Sequence, residues 1–371
     1  MLLDNRAPFK PRAEAGSTKY GTKGAFSAES FASLNLSTRQ KEILASTANA
    51  GLAKSTWSAY NTGMKMFQNC CTEKGLAPDF PLKDEVIITF VAWLLDRNLS
   101  ASTISTYVAS LRHLHMTNGH SVTTLRSATV DLLIEGRKHL DAIKKREGTN
   151  ADRLPVTPTV MRLLKKLIKE SAMDKHDKAT IWAIATTGFA GALRMHEILA
   201  RNESYFDPHF TLLKEDLKLT SANSEGKDIE ILQIKVKCEK KDRVGVNCII
   251  DIYESGGELC PIKAIKRWLS YARTQEDKLP AFRDLRGKPF TGSRLNKLLR
   301  DLLSPHIDYK KGKITAHSFR SGLPSMMNEL GYTDEQIKAI GRWSSQAFKL
   351  YTKLPRTSRL AMAKSIANCR F

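Results

Sequence analysis

The stretch Thr315–Gly322 reads Thr-Ala-His-Ser-Phe-Arg-Ser-Gly and places a histidine and an arginine three residues apart at a predicted helix start. Side chains at this spacing lie on one face of a helix. The free N–H groups of a helix N-terminus favour anions. His317 can therefore exchange a proton beside an anion that Arg320 binds through two N–H groups. Because such pairs often arise by chance, the meaning of this one depends on the residues around it.

Downstream, Gly341-Arg342-Trp343 is followed by Tyr351, eight residues beyond the tryptophan. Trp343 can donate its indole N–H to a phosphate oxygen and pack against a catalytic side chain, but it cannot transfer a proton. A tyrosine has a pKa of about 10, and clustered arginines would favour its phenolate as a nucleophile. Taken alone, Tyr351 also fits a core residue at helical spacing from Phe348.

Upstream, Gly191–Leu199 reads Gly-Ala-Leu-Arg-Met-His-Glu-Ile-Leu. An arginine in such apolar surroundings is costly to bury unless an anion or a carboxylate meets it. Glu197, three residues after Arg194, can pair with it or brace the local turn. The pattern therefore fits either an ordinary intrahelical ion pair or one half of an anion site.

These motifs, in this order, resemble the tyrosine recombinases, or integrases, over about residues 45–365. The resemblance implies that Arg194 and Arg320 bind the scissile DNA phosphate, that Tyr351 attacks it, and that His317 is the general base. A hairpin lysine, Lys240, would protonate the leaving 5′-oxygen, with Lys237 and Lys241 as close alternatives. The implied catalytic set is Arg194, Lys240, His317, Arg320, Trp343 and Tyr351, supported by Glu197. Trp343 leaves His317 as the only histidine that this reading places for proton transfer.

The hydrophobic periodicity predicts a mainly α protein with a small antiparallel β-sheet. We expect a flexible basic tail at 1–40, a helical domain at 41–146, a linker at 147–156, a second domain at 157–355 and a C-terminal helix or tail at 356–371. The helical domain resembles the SAM-like core-binding domain of the family. The second would be the α+β catalytic domain, with strands near 229–236 and 246–252, and residues 356–371 would dock on a neighbouring protomer or on their own domain.

The chain has 59 Lys and Arg against 38 Asp and Glu, a formal net charge of +21. This excess favours a nucleic-acid partner, although a merely basic or ribosomal-type protein has a similar balance. Candidate DNA contacts lie on the predicted helices 100–115 and 291–303, in the basic stretch that leads into the linker, and at the hairpin. They are Arg112, His113, Lys144, Lys145, Arg146, Lys241, Arg294 and Lys297, with Asn296 as a further exposed candidate.

The resemblance implies no metal and no other cofactor, a dimer on each double-stranded DNA site, and a tetramer in synapsis. No stretch has the length of a membrane span, and none of the six cysteines forms a Cys-x-x-Cys pair. The form of the motifs is closer to recombinases of eukaryotic mobile elements, of the Crypton or DIRS/Ngaro type. That favours the nucleus, or the cytoplasm and nucleoid in a prokaryote. A type IB topoisomerase and a non-catalytic, domesticated DNA-binding protein are the alternatives.

Overall fold

The computed structural model describes residues 24–122, 127–146, 152–224, 227–237, 248–272, 277–309 and 312–343, together with 346 and 349. These residues form two compact units, which divide near residue 150. Their secondary structure is mainly helical with a small antiparallel sheet, which confirms the predicted fold class. Among the described helices, none combines the length and the apolarity that crossing a membrane requires.

The N-terminal unit is built from helices. They are α1 (Thr38–Ala50), α2 (Lys54–Lys74), α3 (Asp84–Asp96), α4 (Ala101–Thr117) and α5 (Ala128–Arg146), after a short 3-10 helix at Ala28–Phe31. Phe67, Phe90 and Ile104 lie in their shared core, each at most 2% exposed. Ser100 caps α4 by accepting a hydrogen bond from the Thr103 N–H, as its polar side chain before an apolar run predicts.

Residues 24–37, which we expected to lie in a flexible tail, are part of this unit. Asn49 of α1 accepts a hydrogen bond from the Phe26 N–H and donates one to the Phe26 carbonyl, both at 2.9 Å. Phe26 also contacts the ring of His113 edge-on, with centroids 5.4 Å apart. These contacts between segments far apart in sequence are not visible as periodicity.

The C-terminal unit contains the remaining elements. The helices are α6 (Pro158–Glu170), α7 (Lys175–Ala190), α8 (Met195–Ile198), α9 (Pro261–Tyr271), α10 (Gly292–Leu303), α11 (Ser318–Glu329) and α12 (Asp334–Ile340). The strands are β1 (Asp152–Arg153), β2 (Leu217–Ser224), β3 (Lys227–Val236), β4 (Cys248–Tyr253) and β5 (Gly312–Lys313). Helix α7 is the central helix of this unit, since it is buried along most of its length and contacts α6, α9 and α11.

Strands β2, β3 and β4 form an antiparallel sheet in that order, with Leu219 opposite Leu232 and Ile234 opposite Ile250. Leu232 and Ile234 are fully buried, so one face of the sheet covers the core. β2 was not predicted as a separate strand. The period-two pattern of this region indicated only that strands lie between about 210 and 253.

The second half of the predicted linker is structural. β1 pairs in parallel with β5, and the Val156 N–H donates to the Ser318 carbonyl at 3.0 Å. Val156 is itself fully buried. This connection fixes the start of α11, the helix that carries Arg320, against the entry of the chain into the C-terminal unit.

Gly322 of α11 makes this close approach possible, because a Cβ at this position would lie 2.1 Å from the Val156 carbonyl oxygen. We predict that Gly322→Ala lowers the Tm of the C-terminal unit by roughly 2–10 °C through overpacking. Gly292→Ala is the matched control, because nothing lies within 4 Å of a Cβ there. Thermal unfolding followed by circular dichroism checks this, and equal Tm values for the two variants would contradict it.

Candidate active site

The backbone turns sharply where α7 ends and Arg194 begins α8. Ala192 has a φ of +44°, in the left-handed region that costs a non-glycine residue about 1–2 kcal/mol. The Leu193 N–H donates to the Gly188 carbonyl at 3.0 Å, which holds the turn. The turn leaves the Ala192 carbonyl pointing at the side chain of Arg320, which donates to it through Nη1.

Arg320 is almost completely buried, at 2% exposure. Its Nη2 donates to the Gly341 carbonyl at 2.9 Å, and its guanidinium lies 4.6 Å from the centre of the Trp343 ring. A guanidinium over an indole face is an attractive cation–π arrangement. Arg320 therefore contacts the backbone before Arg194 and the segment around Trp343 at once, and Trp343 packs on an arginine as expected.

Glu197 connects the same two segments by charge. Its Oε1 accepts from Arg194 Nη1 at 2.7 Å, and its Oε2 accepts from the Arg194 N–H at 2.8 Å and from Arg342 Nη2 at 3.1 Å. Burial alone would raise the pKa of this carboxyl, but the charge of Arg342 and the hydrogen bonds and charge of Arg194 outweigh it, and the pKa is lowered. The arginine–glutamate pair foreseen from the sequence thus exists and includes a second arginine.

His317 lies at the start of α11, close to these arginines. Ala316, directly before His317, donates its N–H to Asn296 Oδ1 at 2.7 Å. The Asn296 side chain therefore supports the backbone before His317 and is only half-exposed, not the exposed DNA contact that was predicted. The pKa of His317 is lowered by burial and further by the charges of Arg153, Arg320 and Arg194. A neutral imidazole at pH 7 is able to accept a proton.

His196 is a neighbour of this site that the sequence reading did not single out. Burial lowers the pKa of His196, and the charges of Arg194, Arg201 and Arg320 lower it further. The charge of Glu197 acts in the opposite direction but does not outweigh them. His196 also acts on the pKa of His317. The prediction that His317 is the only histidine placed for proton transfer stays a prediction, and His196 is a second histidine near the same arginines. The position of His196 two residues after Arg194 is the feature of the sequence that could have indicated it.

Of the three candidate lysines, only Lys237 lies within the described residues. Its Nζ is 2.6 Å from Asp216 Oδ2 and donates to the Pro208 carbonyl at 3.1 Å, with 11% of the side chain exposed. Lys237 is thus held in a nearly buried ion pair at the end of β3. Lys240, Lys241 and Tyr351 lie outside the part of the chain that the structure describes, so their predicted roles stay predictions.

Several candidate DNA contacts are engaged within the protein. His113 is buried, its Nε2 lies 2.7 Å from the Gly24 carbonyl oxygen, and Trp57 and Tyr60 contact its ring, so its prediction as an exposed contact was wrong. Arg294 pairs with Asp284 at 2.8 Å, which leaves 29% of its side chain exposed.

The remaining candidates differ in their surroundings. Arg112 lies 3.5 Å from Asp131 and is one-third exposed, Lys144 donates to Asn98 Oδ1 at 3.0 Å, and Lys297 is exposed. The side chains of Lys145 and Arg146 lie outside the described ones. Lys297 is thus the most accessible of the described candidates on α10.

The Glu197 carboxylate makes a direct stability prediction. Glu197→Gln removes the charge that pairs with Arg194 and Arg342, and we expect the free energy of unfolding to fall by about 3 kcal/mol at pH 7. Because the folded pKa is lowered, this stabilisation is present above the unfolded pKa of about 4.3 and is lost as the pH falls toward the folded value. The difference between variant and wild type should therefore shrink below about pH 4.

Denaturant unfolding at several pH values measures this difference. Glu258→Gln is the matched control, since Glu258 pairs with Arg162 at 2.9 Å on the surface with half of its side chain exposed. The control should lose less than about 1 kcal/mol. Equal losses of unfolding free energy for the two variants would show that the buried carboxylate stabilises the fold no more than the exposed one.

Parts of the chain are similar to known proteins. Residues 47–127 match the family described as the phage integrase N-terminal SAM-like domain. An integrase/recombinase XerD homolog of Selenomonas ruminantium is 27% identical over 236 residues, which are 63% of this chain and 60% of that protein. The chain thus matches less than two thirds of the length of this curated relative.

Two solved structures share the fold. The XerH site-specific recombinase bound to palindromic difH DNA aligns with a TM-score of 0.57 and 13% identity, over 89% of this chain and 85% of that one. The Tn1549 transposon integrase in complex with transposon right-end DNA aligns with a TM-score of 0.54 and 14% identity, over 85% and 94%. Residues 47–127 therefore match a SAM-like N-terminal domain, and the fold of the described residues is similar to that of these two recombinases.

Proposed function

We propose that this protein is a site-specific DNA recombinase that cuts and rejoins strands through a 3′-phosphotyrosyl intermediate. The observation that carries the proposal is that the fold brings together segments more than a hundred residues apart. Arg194 pairs with the buried Glu197, Arg320 binds the carbonyl of Ala192 just before Arg194, and His317 lies near both arginines. Two guanidinium groups beside a neutral imidazole can bind a phosphodiester and move a proton. The net charge of +21 and the DNA-bound structures that share the fold support DNA as the partner.

In the proposed reaction, Arg194 and Arg320 stabilise the charge that accumulates on the non-bridging oxygens of the phosphate. The Tyr351 phenolic oxygen forms a bond to phosphorus while the bond from phosphorus to the 5′-oxygen breaks. His317 takes the phenolic proton, and a hairpin lysine gives a proton to the leaving oxygen. The 5′-hydroxyl of a partner strand then attacks the phosphotyrosine and releases the enzyme.

The hairpin lysine is Lys240 in this proposal, as the sequence motif suggests, with Lys237 and Lys241 as alternatives. The ion pair of Lys237 with Asp216 weighs against Lys237 in the DNA-free protein, because a proton donor must first leave that carboxylate. Trp343 supports Arg320 by packing under its guanidinium.

The proposal also includes the oligomeric state of the protein, the type of mobile element and the cellular compartment. Two protomers would bind one double-stranded DNA site, and two such sites would pair in a tetramer. The stretch Thr315–Gly322 and the tripeptide Gly341-Arg342-Trp343 favour a recombinase of a eukaryotic mobile element, of the Crypton or DIRS/Ngaro type, which would act in the nucleus. Integration, excision and transposition all use this chemistry.

A covalent protein–DNA adduct is the expected product that tests the proposal. The protein is incubated with a pool of nicked duplexes of random sequence, and adducts are isolated on a denaturing gel and sequenced. We expect wild type to form adducts enriched in one sequence, Tyr351→Phe to bind the same DNA without an adduct, and Tyr253→Phe to react normally. Tyr253 is the matched control because it is an exposed tyrosine on β4.

The two alternatives give different results in the same assay. Specific binding without an adduct for wild type would favour the non-catalytic DNA-binding protein and reject the recombinase. An adduct together with relaxation of supercoiled DNA, but without joining between two sites, would favour the topoisomerase. Strand joining between two separate duplexes supports the recombinase.

The lowered pKa of His317 predicts the acid side of the pH profile. A general base must be neutral, so the single-turnover rate of adduct formation at saturating DNA should fall only below the usual histidine pKa of about 6.5. His317→Asn should react slowly and lose this acid limb while still binding DNA. An acid limb at or above pH 6.5, or one that persists in the variant, contradicts His317 as the base.

A further inference from the structure

Arg342 has a special backbone conformation at the end of α12. Its φ is +54°, which is unfavourable for a residue with a side chain. The Arg342 N–H donates to the Ala339 carbonyl at 3.1 Å and the Trp343 N–H donates to the Lys338 carbonyl at 3.0 Å, so the turn is closed by hydrogen bonds. This turn directs Arg342 to Glu197 and the next residue, Trp343, to Arg320.

Gly341 makes the turn possible. A Cβ on Gly341 would lie 1.4 Å from an atom of the Trp343 ring, so the ring occupies the space that any side chain here would need. The Gly341 carbonyl in turn accepts from Arg320. The tripeptide Gly341-Arg342-Trp343 therefore acts as one structural unit that meets Arg320 and Glu197 together.

Arg342 and Arg194 share one carboxylate, since their side chains bind different oxygens of Glu197. Glu197 is completely buried in its side chain, whereas 21% of Arg194 and 16% of Arg342 remain exposed. Both arginine side chains are thus partly accessible, whereas the carboxylate between them is not. The bond to Glu197 restrains the Arg342 guanidinium before a ligand arrives.

The charges of the three arginines in this region and of Glu197 do not balance. Arg194, Arg320 and Arg342 bring three positive charges, and Glu197 contributes one negative charge to the group. Like charges in a partly desolvated site repel, and a bound anion relieves the repulsion. Because Glu197 binds both side chains, a phosphodiester bound by Arg194 would lie near Arg342.

We propose that Arg342 is a third phosphate-binding arginine of the active site, oriented by Glu197 and by the left-handed turn after Gly341. This assignment rests on the proposed function and adds a residue to its machinery. Arg342 donates N–H groups to the non-bridging oxygens of the phosphate that the tyrosine attacks. Arg342, directly before Trp343, would thus add positive charge to the site, but as an arginine it transfers no proton.

The test compares two DNA substrates selected by adduct formation, one with the natural phosphate and one with a methylphosphonate at the cleaved position. The methyl group replaces one non-bridging oxygen and removes the negative charge. Arg342→Gln should slow adduct formation by about 10²–10³-fold on the phosphate. On the methylphosphonate, which needs less positive charge, we expect the same variant to lose at least about tenfold less.

Two control variants separate charge from folding. Arg342→Lys keeps the charge and should recover part of the rate on the phosphate, and Arg162→Gln removes an equal charge from an exposed pair and should leave both rates unchanged. An equal deficit of Arg342→Gln on both substrates, or a rate near that of wild type, overturns the assignment. Circular dichroism confirms that each variant is folded.

If wild type forms no adduct with any DNA, the proposed function is rejected, and inorganic phosphate then tests Arg342 separately. At constant ionic strength against chloride, phosphate should raise the Tm of wild type and of Arg162→Gln. Arg342→Gln should lose at least half of that rise. An undiminished rise in Arg342→Gln shows that Arg342 does not bind phosphate.

Discussion

The candidate active site depends on one buried carboxylate. Glu197 lies at the base of the arginine cluster and binds Arg194 through side chain and backbone and Arg342 through side chain. A buried charge is tolerated only when it is paired and hydrogen-bonded, so each partner constrains the others. The turn after α7 and the end of α12 are therefore held in one arrangement, although almost 150 residues separate them in the chain.

The backbone conformation also helps to fix the positions of the arginines. Ala192 and Arg342 both adopt left-handed conformations, and Arg320 binds the carbonyls of Ala192 and Gly341 next to these turns. Unfavourable conformations of this kind persist where the surrounding structure holds them, and they are common at functional sites. The arginines are thus in position before any ligand binds, which is how a site stabilises developing charge without reorganising.

The parts of the fold that depend on local signals were predictable from the sequence. Helix α4 begins after the Ser100 cap, close to the predicted 100–115, and α10 at Gly292–Leu303 lies within the predicted 291–303. The Arg194–Glu197 pair was foreseen from its spacing. Errors arose where distant segments meet: residues 24–37 fold onto α1 and α4, His113 is buried under aromatic rings, and Asn296 supports the loop before His317.

The sequence by itself determined the helical pattern, the basic character and the order of the motifs that resemble a tyrosine recombinase, because these depend on spacing and residue type. Only the tertiary structure decided which charges meet. Arg342 joins Glu197, Lys237 joins Asp216 and His196 lies near His317, and none of these pairs is marked by a local period. The physical reason is that burial and long-range contact, which set the strength of charge interactions, arise only when the chain is folded.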